Sequence, residues 1–125
     1  MQRILSQIHQ WLARIFLAGL VLQFYLASAP IFGVGLSFEP HRKLGVALTI
    51  LAILFPVLAL VGRLGRKLIG FSTLLVFLTI DQAILPSLRG NAPWIAALHP
   101  VNALALIGVS AMIRRNGRAE PLRAI

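Results

Sequence analysis

The chain has 125 residues, 58% of them hydrophobic and only 12% charged, with a formal net charge of +9 and no cysteine. A composition this apolar excludes an ordinary soluble domain, and the lack of cysteine excludes disulfides, thiolate metal sites, iron–sulfur clusters and haem attached through Cys-x-x-Cys-His. The basic residues gather at the ends of apolar segments rather than on an aromatic-interleaved face, so they read as topology signals with no nucleic-acid partner.

Apolar runs fall at 11–29, 44–61, 68–85 and 94–113, each close to the ~20 residues that a spanning helix needs. Backbone polar groups in hydrocarbon must be paired within the segment, so each run is expected to be a helix. The expectation is therefore a single domain over 1–125, an all-α integral membrane antiparallel four-helix bundle in the lipid bilayer. Before the first run, His9 with Gln7 and Gln10 reads as interfacial, and Arg14 as a cation that snorkels to the same interface. The first thirty residues resemble a signal peptide, ending in Ala27-Ser28-Ala29. Pro30 directly after that point argues for a retained span instead.

Pro30, Gly33 and Gly35 break the chain before Glu39-Pro40 starts the second helix, and Gly62 and Gly65 separate the second from the third. Pro86, Gly90 and Pro93 interrupt it again, with Asn91-Ala92-Pro93 as the start of the fourth. Trp11, Tyr25 and Trp94 fit interfacial aromatic belts. If the spans alternate, Arg3, Arg63, Arg66, Lys67, Arg114, Arg115, Arg118 and Arg123 share one side, and Arg42, Lys43 and Arg89 the other. The positive-inside rule then places the protein in the inner (cytoplasmic) membrane with both termini in the cytoplasm.

The chain also nearly repeats itself. Gln23-Phe-Tyr-Leu26 leads to His41, and Gln82-Ala-Ile-Leu85 leads to His99, with small residues, Gly45 and Ala103, four places after each histidine. This reads as a tandem repeat of two helix hairpins about an axis along the membrane normal. In an up-down-up-down bundle the second and fourth helices are diagonal across the core, so His41 and His99 are expected to face each other.

Gln23, Asp81, Gln82, His99 and Asn102 fall within about two turns of the outer interface at 1.5 Å per residue. Polar groups at this depth are expected to face the bundle interior. Such a layer fits a b-type haem held by His41 and His99 through neutral imidazole nitrogens. Gly45 and Ala103 would leave room for the macrocycle, and Arg42, Lys43 and Arg89 would meet its propionates. Gln23, Gln82, Asn102 or Asp81 would accept the other imidazole N–H; alternatively Asp81 carries protons at a quinone site, or pairs with Arg42, Lys43 or an outer glutamine. Taken alone, His41 also fits a headgroup-solvated residue at a helix start. One geometric objection stands: a fourth helix starting at Pro93 puts His99 about 7–8 Å deeper than His41, unless Pro100 kinks the chain outward.

Phe38-Glu-Pro-His41-Arg42-x-x-Gly45 and Leu98-His99-x-x-Asn102-Ala103 resemble segments of a group of small four-span bacterial membrane proteins of unknown function. They are also similar to the histidine-bearing helices of one half of haem A synthase, a four-helix bundle that binds b-type haem through its second and fourth helices. That resemblance implies His41 and His99 as axial ligands over nearly the whole chain. It does not extend to synthase activity, because this chain has one bundle and Glu39 stands at a different spacing from its histidine. The leading expectation is a haem b electron-transfer protein, quinone-linked or acting with partner membrane subunits or as a homo-oligomer. The alternatives are a non-haem accessory subunit of a larger complex and a proton or small-solute pathway using Asp81 and the histidines. Whether the chain is an enzyme is left open.

Overall fold

The computed structural model describes residues 1–119; Glu120 and Arg123 lie outside them, as does the side chain of Arg118. The elements in order are α1 (Gln2–Ile31), α2 (Glu39–Val61), α3 (Arg66–Ile84), a 3-10 helix (Leu85–Gly90), the single turn α4 (Pro93–Ala96) and α5 (His99–Ala119). Four helical stretches, Gln2–Ile31, Glu39–Val61, Arg66–Gly90 and Pro93–Gly117, are long and apolar enough to cross a membrane. The protein is a multi-pass membrane protein built as an all-helical bundle.

The bundle closes in the order α1, α2, α3, α5: α1 and α3 each pack on both α2 and α5. Chain order therefore makes α2 and α5 diagonal partners, and α1 and α3 the other diagonal. Each long helix buries one stripe at alternating four- and three-residue steps: Ala13, Phe16 and Leu20 on α1; Leu48, Ala52, Phe55 and Ala59 on α2; Leu68, Ser72, Leu75 and Thr79 on α3; Leu106, Ser110 and Ile113 on α5. This is the period of helices that cross at shallow angles. Lipid tails are as apolar as leucine, so packing rather than water exclusion holds membrane helices together, and small residues let the backbones approach. Ala13, Ala52, Ala59, Ser72 and Ser110 serve that purpose here. Gly19 does so more directly, since a Cβ there would stand 2.8 Å from a methyl of Leu48.

The helix ends follow the breakers. After α1, the Phe32 amide bonds to the Ser28 carbonyl and the Val34 amide to that of Ala29, with Gly33 at φ 75 turning the chain. After α2, Gly62 and Leu64 bond back to Leu58 and Ala59, and Gly65, at φ 93 and ψ 153, occupies a conformation open only to glycine as it caps α3. Pro56, inside α2, costs one helix hydrogen bond.

The fourth span departs from expectation. It does not run unbroken from Pro93: α4 stops at Ala96, and a new helix begins at His99. Pro100 accordingly sits in the first turn of α5, where its missing N–H costs nothing. It opens a helix rather than kinking one. His99 thus heads α5 much as His41 heads α2, and no difference in depth keeps their ring centres further apart than 6.2 Å.

At mid-bundle the rings of Phe16 and Phe55 meet edge to face at 5.6 Å, and both are fully buried. Phe55→Ala is expected to lower unfolding free energy in detergent by about 3 kcal/mol through the cavity it leaves, measured by thermal unfolding followed by near-UV circular dichroism.

Candidate ligand site at the histidine end

His41 and His99 come together across the α2–α5 diagonal, their ring centres 6.2 Å apart and their planes inclined at 69°. Each is half-buried. Each is held by the long helix before its own, α1 for His41 and α3 for His99: His41 Nδ1 lies 3.1 Å from the Gln23 main-chain carbonyl, and His99 Nδ1 lies 3.1 Å from that of Gln82. Since a carbonyl only accepts, both Nδ1 atoms carry the proton and both Nε2 atoms keep a lone pair. Of the residues expected to accept an imidazole N–H, Gln23 and Gln82 do so, through main-chain oxygens rather than side chains, and Asn102 and Asp81 do not.

Proline explains one of these acceptors. In an unbroken helix the carbonyl of Gln82 would accept from the residue four places on, but that residue is Pro86, which has no N–H. His99 takes the lone pair thereby released. The Gln23 carbonyl lies within α1, which continues to Ile31, and His41 uses its second lone pair.

The side chains around His99 form a chain of determined polarity. Asn102 Nδ2 donates to the Leu78 carbonyl at 2.8 Å and to Gln82 Oε1 at 2.8 Å. Gln82 therefore turns its NH2 group to His99 Nε2, 3.2 Å away, which accepts. The first half lacks this arrangement. Gln23 lays its amide beside Gly45, where a Cβ would stand 3.0 Å from its Nε2, and its buried Oε1 has no partner. The room expected beside Gly45 is filled by this amide. Ala103 is half-buried on α5.

Other expected site residues lie elsewhere. Asp81 was expected to face the interior with the glutamines; it is exposed instead. The inward stripe of α3 passes through Leu75, Thr79 and Gln82, and the residue before Gln82 is rotated about 100° from it at 3.6 residues per turn. Arg42 and Lys43 reach Glu39 at 2.7 and 3.7 Å with side chains 73% and 76% exposed, and Arg89 is exposed on the 3-10 helix. Among the described residues, no group of three or more His, Cys, Asp or Glu side chains converges as a metal site.

The opposite end holds what the sequence reading missed. His9, read as interfacial, is fully buried: its Nε2 lies 3.1 Å from Ser72 Oγ and its ring meets Phe55 edge to face at 5.3 Å. The signal was present, because His9 falls in step with Ala13, Phe16 and Leu20. Nearby, Gln10 donates to the Ile113 carbonyl, and Arg14 stacks over Trp11 at 4.5 Å. An open groove of about 560 Å³ at this end is bordered by Ile8, Trp11, Arg14 and Gly117, among others, and by neither histidine of the pair.

Residues 23–88 match the model of a family of unknown function, DUF6220. That match covers more than half of the chain, taking in Gln23, His41 and Gln82, and the chain belongs to this family. No curated protein and no solved structure matches it, and neither comparison supports the expected similarity to haem A synthase.

Ser72→Ala strands the buried His9 Nε2 and is expected to cost about 1–3 kcal/mol of stability. Adding His9→Phe should recover part of that loss, because no orphaned polar atom then remains; the comparison is read by thermal unfolding in detergent.

Proposed function

We propose that this DUF6220 protein holds one b-type haem between His41 and His99 near the outer face of the inner membrane and passes single electrons. The observation that carries this reading is the ring spacing. Two imidazoles bound on opposite sides of one metal ion through bonds of about 2 Å have centres about 6 Å apart; those of His41 and His99 are 6.2 Å apart, and His99 Nε2 would have to turn from the Gln82 amide to meet the metal. The donor chemistry agrees. Both rings are tied at Nδ1–H to a carbonyl, the second-shell bond that fixes the tautomer and raises the basicity of Nε2.

Bound haem would supply one-electron redox chemistry; the chain's residues would orient and enclose it. Gly45, without a side chain, and Ala103, with only a methyl, lie on the histidine faces of α2 and α5. Movement of the Gln23 amide, whose Oε1 has no partner, would free the notch at Gly45. Leu44, Leu48, Leu78 and Leu106, all buried or half-buried, line the bundle below. Glu39 holds Arg42 and Lys43 only through exposed ion pairs, which are weak, so both cations, with Arg89, are available to carboxylates at the outer surface. The electron partner would be a quinone or a neighbouring membrane subunit.

Asp81 favours a second reading, that of a non-haem accessory subunit. A carboxylate on the outward face of a spanning helix is costly in lipid, and a cation from a neighbouring subunit or a second copy would relieve it. Asp81 is exposed and does not join the histidines, so the geometry favours no relay through all three.

Six basic residues, Arg3, Arg63, Arg66, Lys67, Arg114 and Arg115, share the end of the bundle that holds the N-terminus, which supports cytoplasmic termini. The native chain has no cysteine, so single-cysteine labelling is clean: in intact cells Ser37→Cys should react with an impermeant maleimide, and Gln2→Cys only after permeabilisation. The reverse pattern would invert the orientation.

The test of function is the absorbance of detergent-purified protein, oxidised and then dithionite-reduced. The expected result is the sharp reduced spectrum of a six-coordinate b-type haem in the native chain, lost in both His41→Ala and His99→Ala. Protein that stays colourless when made with ample haem would leave the accessory-subunit reading.

A further inference from the structure

The two histidines match in their Nδ1 bonds and differ at Nε2, the atom that would meet a metal. At His99, Nε2 already accepts from the Gln82 amide at 3.2 Å. That amide cannot simply turn over, because its Oε1 is held by Asn102 Nδ2, itself anchored on the Leu78 carbonyl. A reversed amide would point NH2 at NH2 at one end and an oxygen lone pair at the imidazole lone pair at the other. At His41 no side chain performs this role: the corresponding glutamine, Gln23, lies over Gly45 with its oxygen unpartnered. The sequence accounts for the difference. Three residues after His99 stands Asn102, and three residues after His41 stands Leu44, which has no donor to hold an amide in place.

The geometry points to an unequal ligand pair: His41 is the standing ligand, and His99 an exchangeable one whose released form is stabilised by the Gln82 amide that Asn102 holds in place. This inference rests on the haem reading and adds to it a function. The site has one coordination position that a small exogenous ligand can take, because a displaced His99 returns to a waiting hydrogen-bond donor instead of being left unpaired in an apolar bundle. A displaced His41 has no such partner. Asn102 acts through Gln82 and is a positioning residue.

The test uses the full chain in detergent, loaded with haemin and titrated with cyanide. In the native chain cyanide should displace one imidazole. Asn102→Leu, which gives the second half the residue of the first, and Gln82→Ala, which removes the amide but keeps the main-chain acceptor of His99 Nδ1, should each weaken cyanide binding roughly two- to tenfold, the worth of one net hydrogen bond. Both should tighten haemin binding by a similar factor. His99→Ala should keep haemin with a five-coordinate or water-ligated high-spin spectrum, whereas His41→Ala should lose most of it. A merely structural role for Asn102 would move thermal stability without moving the cyanide affinity.

The proposal is overturned if His41→Ala and His99→Ala weaken haemin equally, or if both Asn102→Leu and Gln82→Ala, eluting as the native chain does on size exclusion, bind cyanide with native affinity. A native chain that takes up no haemin would overturn the haem reading itself, a result distinct from a loaded protein whose two histidines behave alike.

Discussion

A polar atom inside a lipid-embedded bundle must find its partner within the protein, because hydrocarbon offers none. Most placements here answer to that constraint, with Gln23 Oε1 and His9 Nδ1 among the exceptions. Thr49, Thr79 and Ser110 return their hydroxyls to carbonyls on their own helices. His9 Nε2 and Ser72 Oγ bond across the α1–α3 diagonal, while His9 Nδ1 is buried without a partner. The imidazoles at the other end use main-chain oxygens, one of them left over by a proline. The same rule that makes each segment a helix therefore decides where its few polar side chains can point.

The two ends of the bundle use histidine in opposite ways. At the N-terminal end a single ring, fully buried and edge-on to Phe55, spends one nitrogen on Ser72 and serves as a tie between diagonal helices. At the other end two half-buried rings each spend one nitrogen on a carbonyl, which leaves the second nitrogen to be set by side chains. A hydrogen-bonded imidazole contributes structure in the first case. In the second, the Gln82 amide that Asn102 holds meets the Nε2 of His99, while His41, with Leu44 in the matching place, has no such donor.

Much of the architecture was legible in the sequence. The apolar runs, their breakers and the alternation of spans placed α2 and α5 on a diagonal, and the recurrence of Gln with His brought His41 and His99 to one place. What stayed hidden has physical reasons. The acceptors of the two Nδ1–H groups are main-chain carbonyls, which every residue possesses and no motif marks. Pro86 frees the Gln82 carbonyl, but the sequence does not show that His99 lies opposite it. The break before His99 depends on a turn that Pro93 and Pro100 permit without specifying. Asp81 was placed by depth alone, and depth says nothing about rotation around a helix. His9 shows the reverse error, where rotational register carried the signal and proximity to the chain start outweighed it.

Each Nδ1 bond lies within a single hairpin: Gln23 with His41 in α1–α2, and Gln82 with His99 in α3–α5. Orientation of the rings is thus a local matter, complete in either half without the other, while their approach to 6.2 Å is a property of the two halves docked together. During biogenesis, a chain that enters the bilayer hairpin by hairpin brings two pre-aimed imidazoles to the junction. Docking of two halves formed in that way would require neither ring to search for its rotamer.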